Sequence, residues 1–136
     1  LVLGWTSINT ELFLIPLIFY LGAIFWTLGY DTIYGFQDIK DDEIIGLKST
    51  SIKFKSNPFI FLKICFTIFF LTLLLLGFLM NFNKYYFLSL IPIALQIFYF
   101  QIKRLDIKSP LTCLRIFKSN NLMGLLVFLS IIVGKY

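Results

Sequence analysis

The sequence predicts an all-α fold: a polytopic transmembrane helical bundle, with about four spanning helices of a larger bundle. Three observations predict it. Of 136 residues, 59% are apolar, 17 of them Phe, and mean hydropathy is +0.89. An ordinary soluble domain holds about 45–50% apolar residues, and one of this size could not hide such an excess. The charged residues, 14% of the total, fall between long uncharged runs and not within them. Backbone polar groups in lipid must be satisfied within their own segment, so the runs are helices and not open strands.

Taken in order, the runs are Leu12 to Tyr30, Ile64 to Asn83, Tyr85 to Ile102 and Ser119 to Gly134. A spanning helix needs about 20 mostly apolar residues. The fourth run is short, but Phe117 and Tyr136 extend it while Lys118 and Lys135 reach the interfaces. The expected helices therefore cover about 12–30, 60–82, 85–103 and 118–135. Pro16 and Pro92 are expected to kink two of them. Gly22, Gly77 and Gly124 are expected to permit close helix approach. A tight turn around Asn81 to Lys84 joins the second and third runs. The opening Leu1 to Trp5 reads as the end of another apolar segment, without the charged start of a signal peptide. On that reading the chain is the C-terminal part of one larger transmembrane domain.

The two long connections, Asp31 to Lys63 and Lys103 to Lys118, hold ten of the twelve basic residues; only Lys84 and Lys135 lie on the other side. The positive-inside rule puts both long connections in the cytoplasm, or in the matrix of a mitochondrion. In the second connection Ser109 before Pro110 reads as an N-cap with Pro at the first helical position. A short interfacial helix is expected there, with Leu111, Leu114 and Phe117 on one face.

Composition also excludes function classes. The net charge is +5, but the basic residues are scattered at the ends of apolar runs, so no nucleic-acid surface is formed. There is no His for a His-based metal site, and Cys65 and Cys113 form no disulfide framework.

Five of the seven acidic residues fall between positions 31 and 43: Asp31, Asp38, Asp41, Asp42 and Glu43. If the first helix continued through them, Asp31, Asp38 and Asp42 would share a sector of about 40°. Stacked carboxylates repel, and a hard cation such as Mg²⁺ or Ca²⁺ is their natural partner. The competing reading is a solvated helix end, to which Asp41 and Glu43 fit best. Tyr34 sits about 60° from that sector, one turn after Asp31. It is read either as packing or as a group beside the acids. Lys48 is read either as an ordinary positive-inside lysine or as a phosphate contact.

The segment from Tyr30 to Thr50, YDTIYGFQDIKDDEIIGLKST, closely resembles the second aspartate-rich motif of the UbiA superfamily of intramembrane aromatic prenyltransferases. The pattern DxxxDxxxGxxx followed by Ser or Thr is met by Asp38, Asp42, Gly46 and Thr50. The longer form resembles the 4-hydroxybenzoate polyprenyltransferase branch. Further likeness lies in Leu105 to Pro110 and in Cys113 to Phe128, where Asn120 and Asn121 resemble asparagines of the last helix. The resemblance covers only the C-terminal half of the family, and the earlier motif NDxxDxxxD is absent.

The resemblance implies transfer of a polyprenyl group from polyprenyl diphosphate to the ring of 4-hydroxybenzoate, in ubiquinone biosynthesis. It implies Mg²⁺ as cofactor, held by Asp38 and Asp42 with Asp31 as a further ligand. Lys48 would contact phosphate, and Tyr34 would stabilise the allylic cation or orient an aspartate. It implies the lipid bilayer and the missing N-terminal half as partners. It places the protein in a bacterial inner membrane or the mitochondrial inner membrane. Transfer to another aromatic acceptor, or a non-enzymatic membrane subunit with a cation-binding acidic loop, are the alternatives. The chain alone is expected to be inactive.

Overall fold

The computed structural model describes residues 14–136; the start of the first expected helix and the opening segment lie outside them. Helices α1 (Leu14–Gly35), α2 (Ile39–Ile44), α3 (Thr50–Lys53) and α4 (Pro58–Leu79) come first. Helix α5 (Lys84–Ala94) continues into a π-helical stretch, Leu95–Lys103, and then come α6 (Pro110–Lys118) and α7 (Asn120–Lys135). No strand occurs among the described residues. Among the described residues, four helical stretches are long and apolar enough to cross a membrane: Leu14–Gly35, Pro58–Leu79, Lys84–Lys103 and Pro110–Lys135.

Each departure from the expected boundaries has a physical cause. Helix α1 runs on through Asp31, because Thr32 and Ile33 are buried inside the bundle and extend its apolar face. Pro58 occupies the first position of α4, where its missing N–H costs nothing. The fourth span starts at Pro110 and not near 118, because only Ser119 separates α6 from α7. The expected N-cap is found: Ser109 Oγ accepts from Thr112 N at 3.4 Å. The face expected for α6 differs. Cys113 and Ile116 are buried, whereas Leu111 is exposed, since the inner side is set by continuity with α7.

Helix α1 runs on as α-helix past Pro16. After Pro92, by contrast, the winding widens to i→i+5 bonds from Leu95 onward. In that winding, residues five apart lie one turn apart, so Gln96 and Gln101 come to the same side. Gln96 Nε2 donates to Ser119 Oγ at 3.0 Å and Gln101 Nε2 to Asn120 Oδ1 at 2.9 Å. Both reach the junction of α6 and α7.

Packing pairs α1 with α4 and α5 with α7, and α6 closes on α1. The core joins Ile33, Phe66, Phe69, Leu90, Ile116 and Met123. At Gly22 an added Cβ would meet the Thr72 side chain, so the two backbones approach there as expected. At Gly124 the nearest atom, on Trp26, would stand at an ordinary 3.6 Å, so no close approach depends on that glycine. The turn between α4 and α5 uses Asn81 at φ 51° and Asn83 as N-cap, whose Oδ1 accepts from Tyr85 N at 2.9 Å. Asn83 Nδ2 donates to the Val133 carbonyl at 2.9 Å and ties this turn to α7.

Candidate active site

The acidic segment is not one helix. Helix α1 ends at Gly35, Phe36 to Asp38 form a turn, and α2 begins after Asp38. The Gln37 N–H donates to the Tyr34 carbonyl at 2.9 Å within that turn. The sector expected to hold three carboxylates therefore splits. Asp31 stays on α1 and is exposed, while Asp38 sits at the N-cap position of α2 and Asp42 lies within it. The Asp42 N–H donates to the Asp38 carbonyl at 3.0 Å, so these two remain one turn apart. Among the described residues no three acidic, His or Cys side chains gather into a metal cage.

Residues 46 to 51 build the break. Gly46, at φ 71°, reverses the chain after α2, a left-handed conformation that suits glycine. Ser49 caps α3, and Thr50 Oγ1 lies 2.7 Å from Thr32 Oγ1 on α1. Ser51 is buried against Gly35, where any Cβ would overlap its hydroxyl. The Gly46 and Thr50 positions of the motif thus serve to fold the acidic loop back onto α1. Lys48 stands exposed on the extended stretch before α3.

A cleft of about 650 Å³ opens between the α1–α2 break and the loop leading into α6. Its polar lining is Gln37, Asp38, Lys40, Asp41, Lys55 and Lys108. The two long connections therefore meet on one cleft. Lys55 also holds Glu43 at 2.7 Å, the one ion pair among the described residues. Gln37 Oε1 is buried without a partner, an acceptor left available at the cleft wall. Lys40, Lys55 and Lys108 are not legible in the sequence as site residues, because topology alone accounts for their charges. Asp41, expected to be a solvated bystander, shares the cleft with Asp38.

Beside the cleft an aromatic series descends into the bundle. Tyr34, 42% exposed, has its ring centroid 4.7 Å from that of Phe117, and Tyr30 lies 5.7 Å from the same ring. Trp26 stacks on Phe69 at 5.4 Å and donates from Nε1 to Asn120 Oδ1 at 3.0 Å. Of the two asparagines in the last helix, Asn120 is buried in this network and Asn121 is exposed.

The donor set fits a Mg²⁺ ion shared with a substrate and not a cage made by the described residues alone. Mg²⁺ is commonly held by one or two carboxylates together with substrate phosphates and waters. Asp38 and Asp41 on the cleft, with Asp42 one turn from Asp38, can supply those carboxylates, and the lysines lining the cleft suit the phosphates.

The UbiA prenyltransferase family model matches residues 1–132. The chain is similar to the human mitochondrial 4-hydroxybenzoate polyprenyltransferase, at 37% identity over 98% of the chain and 36% of that protein. It is 35% identical to the Arabidopsis thaliana mitochondrial enzyme of the same name, over 98% of the chain and 33% of that protein. The 4-hydroxybenzoate octaprenyltransferase of Francisella tularensis subsp. novicida is 30% identical, over 96% of the chain and 46% of that protein. The chain thus spans between a third and a half of the length of these relatives. No solved structure matches it significantly.

Proposed function

Because the chain belongs to the UbiA prenyltransferase family, we propose that it forms one acid-bearing wall of a Mg²⁺-dependent 4-hydroxybenzoate polyprenyltransferase site. The observation that carries this reading is the cleft where Asp38 and Asp41 face Lys40, Lys55 and Lys108. A polyprenyl diphosphate brings both a charged head, which needs cations, and an apolar tail, which needs the membrane-depth surface beside it.

In this proposal Asp38 and Asp42 hold Mg²⁺, Asp41 shares the same edge, and Asp31 on α1 adds a further carboxylate toward the completing wall. When bound, Mg²⁺ neutralises charge on the departing diphosphate. The lysines supply the same kind of stabilisation at the outer phosphate oxygens, where charge develops as the allylic C–O bond breaks. Lys48 contributes from the loop edge. The prenyl carbon then bonds to the acceptor ring, and the ring proton passes to an oxygen of the released diphosphate or to water. Tyr34 presents an exposed aromatic ring one turn after Asp31, and the apolar bundle keeps water from the allylic cation.

One wall does not complete such a site. Helix α1 hides only 17% of its most apolar window, against 39% for α4. Asp31 is exposed on α1, and a carboxylate facing lipid is costly. We propose that further helices, of the kind the relatives' greater length allows, cover α1, and that the chain alone is inactive. The long connections face the cytoplasm or matrix, and the product enters ubiquinone synthesis at a bacterial or mitochondrial inner membrane.

The experiment is an Asn series read by prenyl transfer from the complemented enzyme. Asp38→Asn and Asp42→Asn are expected to lose about 10²–10³ in rate, as for removal of a group that stabilises transition-state charge. Equal, small effects at positions 31, 38, 41 and 42 would favour the solvated-loop reading.

A further inference from the structure

At the end of the third span, Lys103 and Arg104 lean over the same aromatic ring. Lys103 Nζ and Arg104 Cζ each lie 5.1 Å from the centroid of Tyr99, and Arg104 also stands 5.7 Å from that of Phe100. Tyr99 is 48% exposed, and both cations are exposed. Neither has an acidic partner within ion-pair distance among the described residues. The nearest acid in sequence, Asp106, has its Oδ1 engaged by the Lys108 N–H at 3.0 Å.

The position of this group matters. The span ends at Lys103, so Tyr99 lies one turn inside the membrane boundary, where aromatic rings meet lipid headgroups. A single lysine over a tyrosine at that level is an ordinary anchor, and the opposite end of the same span has one: Lys84 Nζ, 5.3 Å from the Tyr85 ring. The inner end differs in carrying two cations on one ring. Two like charges held at one ring without a counter-charge repel more the closer they stand, and an anion bound by both relieves the repulsion.

We infer that Lys103 and Arg104, seated on Tyr99, form a binding site for the phosphate of an anionic phospholipid at the inner membrane surface. Arg104 offers a planar donor fork to phosphate oxygens, Lys103 adds a point charge, and Tyr99 and Phe100 pack against the glycerol and upper acyl chain. This site is separate from the acidic cleft and does not depend on the catalytic reading. None of its residues lines that cleft.

The test uses the chain in nanodiscs of phosphatidylcholine mixed with phosphatidylglycerol, with retained lipid counted by native mass spectrometry after re-extraction. Phosphatidylglycerol is expected to be enriched over phosphatidylcholine. Lys103→Gln and Arg104→Gln should each lower that enrichment about fivefold, the change that a basic side chain near an anionic surface provides. Arg104→Lys should keep only part of it, since lysine supplies the charge but not the donor fork, and helical circular dichroism should stay unchanged in all three variants. Lys84→Gln should leave enrichment as it is. Absence of enrichment, or an equal loss in Lys84→Gln, would overturn the proposal by showing only general attraction. Inorganic diphosphate provides the second arm. If it displaces the bound lipid, the pair serves a soluble phosphate and the lipid assignment fails.

Discussion

Asn120→Leu is expected to be the most damaging isosteric change in the bundle. Asn120 Oδ1 accepts from Trp26 Nε1 at 3.0 Å and from Gln101 Nε2 at 2.9 Å, and Nδ2 donates to the Phe117 carbonyl at 3.0 Å. Hydrogen bonds between spanning helices average about 0.6 kcal/mol, with a maximum near 1.7 kcal/mol. The first two cross between spans and together give about 1 kcal/mol. The variant also strands the Gln101 amide, which is fully buried, and the Trp26 N–H, and an orphaned buried donor costs about 1–3 kcal/mol more. The expected loss is therefore about 2–4 kcal/mol. Gln101→Leu is the contrasting case. It removes one bond, but it also removes Gln101 Oε1, which has no partner among the described residues. Its net cost should stay below about 1 kcal/mol. Unfolding by sodium dodecyl sulfate in mixed micelles, followed by Trp fluorescence, compares the two. Equal losses in both variants would show that the two amides act as packing and that the network argument is wrong.

Other expectations arise from the loop that carries the acids. Gly35→Ala should cost about 1–3 kcal/mol in the same unfolding assay because its Cβ overlaps the Ser51 hydroxyl; adding Ser51→Gly should recover the loss, and failure to recover would place the clash elsewhere. Lys108→Gln should raise the KM for polyprenyl diphosphate about tenfold with little change in kcat, a contact to charge already present in the ground state, and an unchanged KM would remove Lys108 from the site. In a background free of Cys65 and Cys113, a Cys at the exposed Ser56 should react with impermeant reagent only from the cytoplasmic or matrix side. Labelling from the opposite side would invert the topology and the site with it.

The spans are legible in the sequence because apolar runs of bilayer length have one stable solution in lipid, and the Ser109–Pro110 start and the Asn81–Asn83 turn carry local chemistry that sequence displays. The helix break at Phe36 to Asp38 is not legible. The periodicity of Asp31, Asp38 and Asp42 fits a continuous helix as well as two short ones, and only tertiary contacts decide between them. Gly35 against Ser51 and Thr32 against Thr50 draw the chain back on itself. The basic side of the cleft is hidden for another reason. Lys108 joins Asp38 on one cleft across a separation in sequence that no local pattern spans, and its charge already has a sufficient explanation in topology. The i→i+5 winding after Pro92 shows in the sequence only as an expected kink, because the pull of Ser119 and Asn120 on Gln96 and Gln101 is a tertiary effect.

The measurement that bears most directly on the acidic cleft as a prenyl-transfer wall is a complementation assay in membranes lacking any endogenous 4-hydroxybenzoate prenyltransferase. The chain is expressed alone, together with the N-terminal part of the Francisella relative, and in that combination with Asp38→Asn. Each extract receives 4-hydroxybenzoate, a polyprenyl diphosphate and Mg²⁺. Prenylated product is expected only from the combination with Asp38 intact, and chelation of Mg²⁺ should abolish it. Product from the chain alone would contradict the need for a second wall, and undiminished product with Asp38→Asn would contradict the cleft as the site of transfer.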